Sequence, residues 1–243
     1  MLKFNFSGRP DGLGNRIEQV IMLEGLCFKK NITINYVWNN KYSNRSYDIL
    51  FSGRLVEINK EILSDIPFKW EGIDPEELGM NKYLCQNEVL RAAKLIKPKF
   101  KIYFDCPEKP LGIHIRGTDR IGRDHQHFMK DYQEFNLYIS KTIVLINNLK
   151  PKYVYICSDN SQYKKIFKKH LNRKITLVDP ICNQKLPAEY IDLFALSICN
   201  GIYMYSKFSS FSITASLIGN IPITSYVLTL LLKNVIWLSL IMN

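Results

Sequence analysis

Leu111-Gly112-Ile113-His114-Ile115-Arg116-Gly117-Thr118-Asp119-Arg120 changes character halfway along its length. Its first half is apolar and alternating, with Ile113 and Ile115 on one face of an extended segment. Its second half breaks into glycine and charge. A strand of this kind carries a fixed cation, Arg116, at its carboxyl edge. In an open α/β sheet ligands bind at that edge. A guanidinium there suits a phosphate, because its planar fork holds two oxygens at once.

The sequence around this stretch reads as alternating strands and helices. Downstream, the 117–130 loop precedes a helix over 131–149 and a strand over 153–157 that ends in Ser158-Asp159-Asn160. A basic helix over 161–171 and a strand over 175–178 follow. Then come a helix over 190–199, a strand over 201–205 and a helix over 209–218. This spacing implies βαβ units and a parallel sheet, an α/β fold. Upstream, a short strand over 2–6 leads through Asp11-Gly12-Leu13-Gly14-Asn15-Arg16 into an apolar helical pattern. A glycine loop that opens a helix exposes amides that favour anions. A second strand spans 31–38, Asp74-Pro75 marks a helix start, and 82–97 has a helical apolar pattern. Pro107 and Pro110 bracket a linker. The expected division is therefore 1–106, 107–222 and an apolar tail, 223–243.

The formal net charge is +11, which favours anionic partners. Lys164, Lys165, Lys168, Lys169, Arg173 and Lys174 crowd one region. They read first as a solvated helix face and second as a peripheral contact with an anionic membrane. Phe167 is the one aromatic residue between them, so nucleic acid is not the expected partner. The six cysteines show no CxxC spacing, and Met1 to Phe6 is too short and polar for a leader. The expected setting is the cytoplasm. The tail has the length of a membrane span, but Lys233 in its middle costs roughly 3 kcal/mol on insertion. A packing helix is the expectation there. His125 and His127 alone do not make a metal site, and none is expected.

His114 to Gly122, HIRGTDRIG, resembles the HxRRTDKxG motif of the α-1,6-fucosyltransferases and the bacterial nodulation fucosyltransferases. The order downstream agrees: SDN at 158–160, DLFALS at 192–197 and KFSSFS at 207–212. Gly12 to Arg16 is similar to the glycine loop that opens the first domain in that superfamily. The resemblance implies a GT-B architecture, two Rossmann-like domains with a cleft between them. It implies inverting, metal-independent transfer of fucose from GDP-fucose to a glycan or glycolipid acceptor, with no cofactor beyond the donor.

By position, the resemblance places Arg116 on the β-phosphate. It places Asp124 where the family carries a glutamate proposed as general base, and Arg120 where it carries a lysine. His114 and Asp192 would hold the guanosine end, Ser209 and Ser210 the diphosphate, and Asp159 would lie near the donor. Gly14, Asn15 and Arg16 complete the set of substrate-binding candidates. Gly117 departs from the pattern, standing where many members have a second arginine. A non-catalytic sugar-nucleotide or glycan-binding protein on the same sheet is the alternative reading.

Overall fold

The computed structural model describes residues 3–7, 12–31, 33–38, 49–51, 53–57, 86–117, 132–205 and 209–225. It divides into two compact units, Met1–Lys101 and Ile102–Asn243.

In the first unit, strands β1 (Lys3–Ser7), β2 (Thr33–Val37) and β4 (Leu55–Glu57) form a parallel sheet in the order β1-β2-β4. Helix α1 (Leu13–Lys30) connects β1 to β2. It stops at Asn31, a left-handed residue whose amide bonds back to the Cys27 carbonyl. Burial of Leu13, Ile17, Val20, Ile21 and Leu26 makes α1 the core helix of this unit. Glu24 is buried too, and it is satisfied by the Arg54 amide, 2.7 Å from Oε1. The Arg54 guanidinium also donates to the Cys27 carbonyl and to Asn31 Oδ1.

The helical pattern over 82–97 ends early. Helix α2 covers Gln86–Ala93, and β5 (Ile96–Pro98) follows it, antiparallel to β3 (Ile49–Phe51). The pairing of Ile96 with Phe51 is non-local, and it overrides the local helical pattern. The helix start at Asp74-Pro75 lies outside the described residues.

The second unit carries a five-stranded parallel sheet in the order β12-β11-β7-β8-β9. Its strands are β7 (Leu111–Ile115), β8 (Tyr153–Ser158), β9 (Thr176–Leu177), β11 (Gly201–Met204) and β12 (Ile223–Ser225). Helices α3 (Tyr132–Leu149), α4 (Ser161–His170), α5 (Ala188–Ser197) and α6 (Ser210–Gly219) run between them. A small antiparallel pair, β6 (Ile102–Tyr103) with β10 (Ile181–Cys182), accompanies the sheet.

The apolar pattern from Ile223 predicts a helix, but Ile223–Ser225 is an edge strand paired with β11. A short apolar run reads the same in either state. The rest of that tail lies outside the described residues. No helix among the described residues is long and apolar enough to cross a membrane.

Parity on β7 sorts the two faces of this sheet. Ile113 and Ile115 pack with Phe135, Ile139, Ile143 and Ile146 of α3 and with Phe167 of α4. Gly112 and His114 face the other way. Gly112 lies against Leu196 and Cys199, and His114 lies against Ser212 and Phe211 of α6. Helices α5 and α6 close on each other so tightly that a Cβ on Gly219 would stand 1.9 Å from the Ser197 carbonyl oxygen.

Candidate functional site

The strand order reverses at β7. From β7 the chain proceeds outward to β8 and β9 on one side, then returns to build β11 and β12 on the other. The crevice at the carboxyl ends of β7 and β11 is therefore a topological switch point, where open α/β sheets bind ligands. The Tyr205 amide still bonds the His114 carbonyl, 2.9 Å, so the two strands stay joined up to that edge.

Arg116 follows the last paired residue of β7, where Ile115 stands opposite Ser158. It is half-buried. Alternation places it with His114 on the α5/α6 face, because Ile115 and Gly117 on either side of it face α3 and α4.

His114 is 5% exposed. Its Nδ1 is hydrogen-bonded to Ser212 Oγ at 2.6 Å, and Ser209 Oγ lies 3.5 Å from the same nitrogen. Phe211 lies along the imidazole with ring centroids 5.1 Å apart. The Nδ1 edge of this histidine thus belongs to the first turn of α6.

Ser209 is the N-cap residue of α6, extended at φ −150°, but its hydroxyl makes no capping bond to the helix. It turns toward His114 instead. Ser209 and Ser210 are both buried, and the first turn of α6 carries no acidic residue. The opening amides of this helix therefore point their partial positive charge at the switch-point edge, uncompensated by a carboxylate of their own turn.

Asp159 follows β8 and is exposed. Both of its carboxylate oxygens accept from the Gly117 amide, at 3.1 and 3.2 Å. It grips the peptide just after Arg116, past the end of the strand ladder. Asn160 beside it caps α4 by accepting from the Gln162 amide, 2.9 Å.

Gly117 is closed on its other side. A Cβ there would meet Phe135 Cζ, Tyr163 Cε2 and the Tyr163 hydroxyl, each at 2.9 Å. The place where a second arginine would begin is filled by aromatic rings, which accounts for glycine at this position.

Asp192, on α5, is half-buried. It accepts from the Tyr155 hydroxyl at 2.5 Å and from the Cys157 thiol. Burial raises its carboxyl above the ordinary range, against the opposing pull of these two hydrogen bonds and of the Lys164 charge. Burial also pushes the Tyr155 phenol and the Cys157 thiol up, so both remain protonated donors. Tyr155 and Cys157 escape a motif-based reading. The signal for them is register: they stand opposite Gly112 and His114 on the neighbouring strand.

The second unit thus brings Arg116, His114, Ser209, Ser210, Asp159 and Asp192 to the ends and one face of its central strands. Gly14, Asn15 and Arg16 lie in the first turns of α1, in the first unit. Arg16 is fully buried, with its guanidinium 5.6 Å from the centre of the Trp38 ring. Arg120, Asp124, His125 and His127 lie outside the described residues. Among the described residues, no group of three or more His, Cys, Asp or Glu side chains is placed to hold a metal ion.

A doubly wound sheet with this switch point defines an α/β fold, and solved fucosyltransferases share it. NodZ alpha-1,6-fucosyltransferase, in a crystal soaked with GDP-fucose, aligns at 14% identity over 94% of this chain and 96% of its own, with a TM-score of 0.59. Fucosyltransferase NodZ from Bradyrhizobium gives 12% identity, coverage of 93% and 96%, and a TM-score of 0.58. POFUT1 in complex with GDP gives 12% identity, coverage of 91% and 98%, and a TM-score of 0.55. At these identities the likeness establishes the fold. No family model matches the chain, and no curated protein matches it.

Proposed function

We propose that the protein is a glycosyltransferase that moves fucose from GDP-fucose to a glycan or glycolipid acceptor. One observation carries the reading: Arg116 and the uncapped start of α6 flank the switch point of a fold shared with a fucosyltransferase solved with GDP-fucose. In such a transfer the bond from the sugar carbon to the β-phosphate oxygen breaks, and its electron pair stays with GDP. Negative charge grows on the β-phosphate as it leaves. A fixed guanidinium and preorganised amides stabilise that charge, and on this reading no metal is needed.

Asp192, oriented by Tyr155, is available to accept hydrogen bonds from N–H groups of the base. His114 lines the same face. The acceptor oxygen forms the new bond to the sugar carbon, and its proton passes to a carboxylate. By resemblance that carboxylate is Asp124, with Arg120 close in sequence.

A donor panel of GDP-fucose, GDP-mannose and UDP-sugars, read by thermal shift and by transfer to a glycan array without added metal, tests the proposal. GDP-fucose is expected to give the largest shift, and Arg116→Ala is expected to abolish turnover. Near-normal turnover of Arg116→Ala would remove the phosphate role. Donor binding with no transfer to any acceptor would favour the non-catalytic alternative.

A further inference from the structure

A cluster of exposed cations among the described residues of the second unit lies at the amino edge of its sheet, away from the switch point. Helix α3 ends there, and so do α4 and the turn that leads into β9. The separation from Arg116 is roughly the length of the six-residue β8, about 20 Å. Lys150, Lys168, Lys169, Arg173 and Lys174 are all exposed at this edge. The segments 147–152 and 168–175 contain no aspartate or glutamate. Glu108, on the segment that leads into β7, is already paired with Lys152 at 3.5 Å. Asp105, on the same segment, is the other acid there among the described residues.

These cations are held together. Asn147, in the last turn of α3, donates from Nδ2 to the His170 carbonyl at 3.1 Å and accepts the Asn172 amide at 2.7 Å. Asn172 in turn accepts the Lys174 amide on its side chain, 3.0 Å, and the Ile175 amide on its carbonyl, 2.9 Å. One side chain therefore ties the end of α3 to the α4–β9 turn, so the lysines of both turns present one surface. Leu149, 54% exposed, stands beside Lys150 within it.

We infer that this edge is a docking surface for an anionic lipid bilayer. The cations are lysines with a single arginine, which suits a diffuse field of headgroups more than paired recognition of one phosphate. No Phe, Tyr or Trp lies in either segment, so nucleic-acid bases have no stacking platform. An exposed leucine inside the cationic ring can enter the headgroup boundary. Docking by this edge leaves the opposite, carboxyl edge of the sheet facing away from the lipid.

The test is co-sedimentation of the full chain with vesicles of phosphatidylcholine alone and of phosphatidylcholine mixed with phosphatidylglycerol, at low and high salt. Binding is expected only to the anionic vesicles and is expected to fall with salt. The combined variant Lys168→Glu/Lys169→Glu/Arg173→Glu/Lys174→Glu is expected to lose on the order of 1,000-fold in partitioning, with its donor thermal shift retained. Leu149→Ser is expected to bind more weakly at every salt concentration. Equal binding to neutral vesicles, binding that the charge reversals leave unchanged, or binding to a single-stranded oligonucleotide without binding to anionic vesicles would each overturn the inference.

Discussion

Gly117→Ala adds one methyl group at a place with no room for it. The new carbon would stand 2.9 Å from Phe135 Cζ and from two atoms of Tyr163. Phe135 has little freedom to yield. It is 1% exposed, it packs edge-on against Tyr205 with centroids 4.9 Å apart, and its backbone carbonyl accepts the Tyr205 hydroxyl. Tyr163 is half-buried on the first turn of α4 and is the side that can move. Overpacking with one movable neighbour is expected to cost about 2 kcal/mol. For a chain of this size that lowers the melting temperature by roughly 4–8 °C. Gly117→Arg begins from the same carbon and is expected to cost at least as much, although arginine is the residue the family resemblance would place there. Urea denaturation of Gly117→Ala, Tyr163→Ala and the double variant measures the clash directly. In the double variant the Tyr163 ring is gone while the contact with Phe135 remains, so part of the clash is relieved and the two losses should fall short of additive by about 1 kcal/mol. A Gly117→Ala protein within about 0.5 kcal/mol of wild type, or strictly additive losses, would refute the reasoning.

Two further outcomes follow from other contacts. Gly219→Ala drives a carbon to 1.9 Å from a backbone carbonyl of α5, and backbone cannot rotate aside as a ring can. A loss of about 3 kcal/mol is expected in chemical denaturation, and an unchanged midpoint would contradict the α5–α6 packing. Asp192 gives a pH dependence of definite sign. Its carboxyl is raised in the folded state by burial, so the folded chain holds a proton that the unfolded chain has already released. Stability from this group is therefore lost as pH rises from the ordinary carboxylate range through the raised value. Asp192→Asn keeps an acceptor for Tyr155 and should flatten that decline, and a parallel pH–stability curve for the variant would exclude the effect.

What could be read from the sequence is what depends on short-range pattern. The β7 stretch announces a strand because Ile113 and Ile115 alternate, and its edge announces itself because charge begins at Arg116. The βαβ order follows from segment lengths, and with it the α/β class. What could not be read depends on which strands become neighbours. The β3–β5 pair is invisible because Phe51 and Ile96 are far apart in sequence, so Ile96 to Pro98 looks like the end of a helix. Ile223 to Ser225 looks like a helix for the same reason, since its partner β11 is what makes it a strand.

The site divides along the same line. Arg116, His114 and Ser209 are named as candidates by motif because each sits at the end or on the face of an element that the local pattern delimits. The contacts that hold the motif residues in place are not found that way. Asp159 grips the Gly117 amide across 42 positions, Tyr155 orients Asp192 across 37, and Ser212 reaches His114 across 98. Each of these contacts is created by the β7–β8 register, by the packing of α5 against β8, or by the return of the chain through β11 to α6. The departure at Gly117 is the sharpest instance. Compared with a motif it reads as a missing cation. Against Phe135 and Tyr163 it is a position crowded against any side chain, so on the proposed function Arg116 and the first turn of α6, on the opposite face of the strand, are the groups among the described residues placed to supply charge for a departing phosphate.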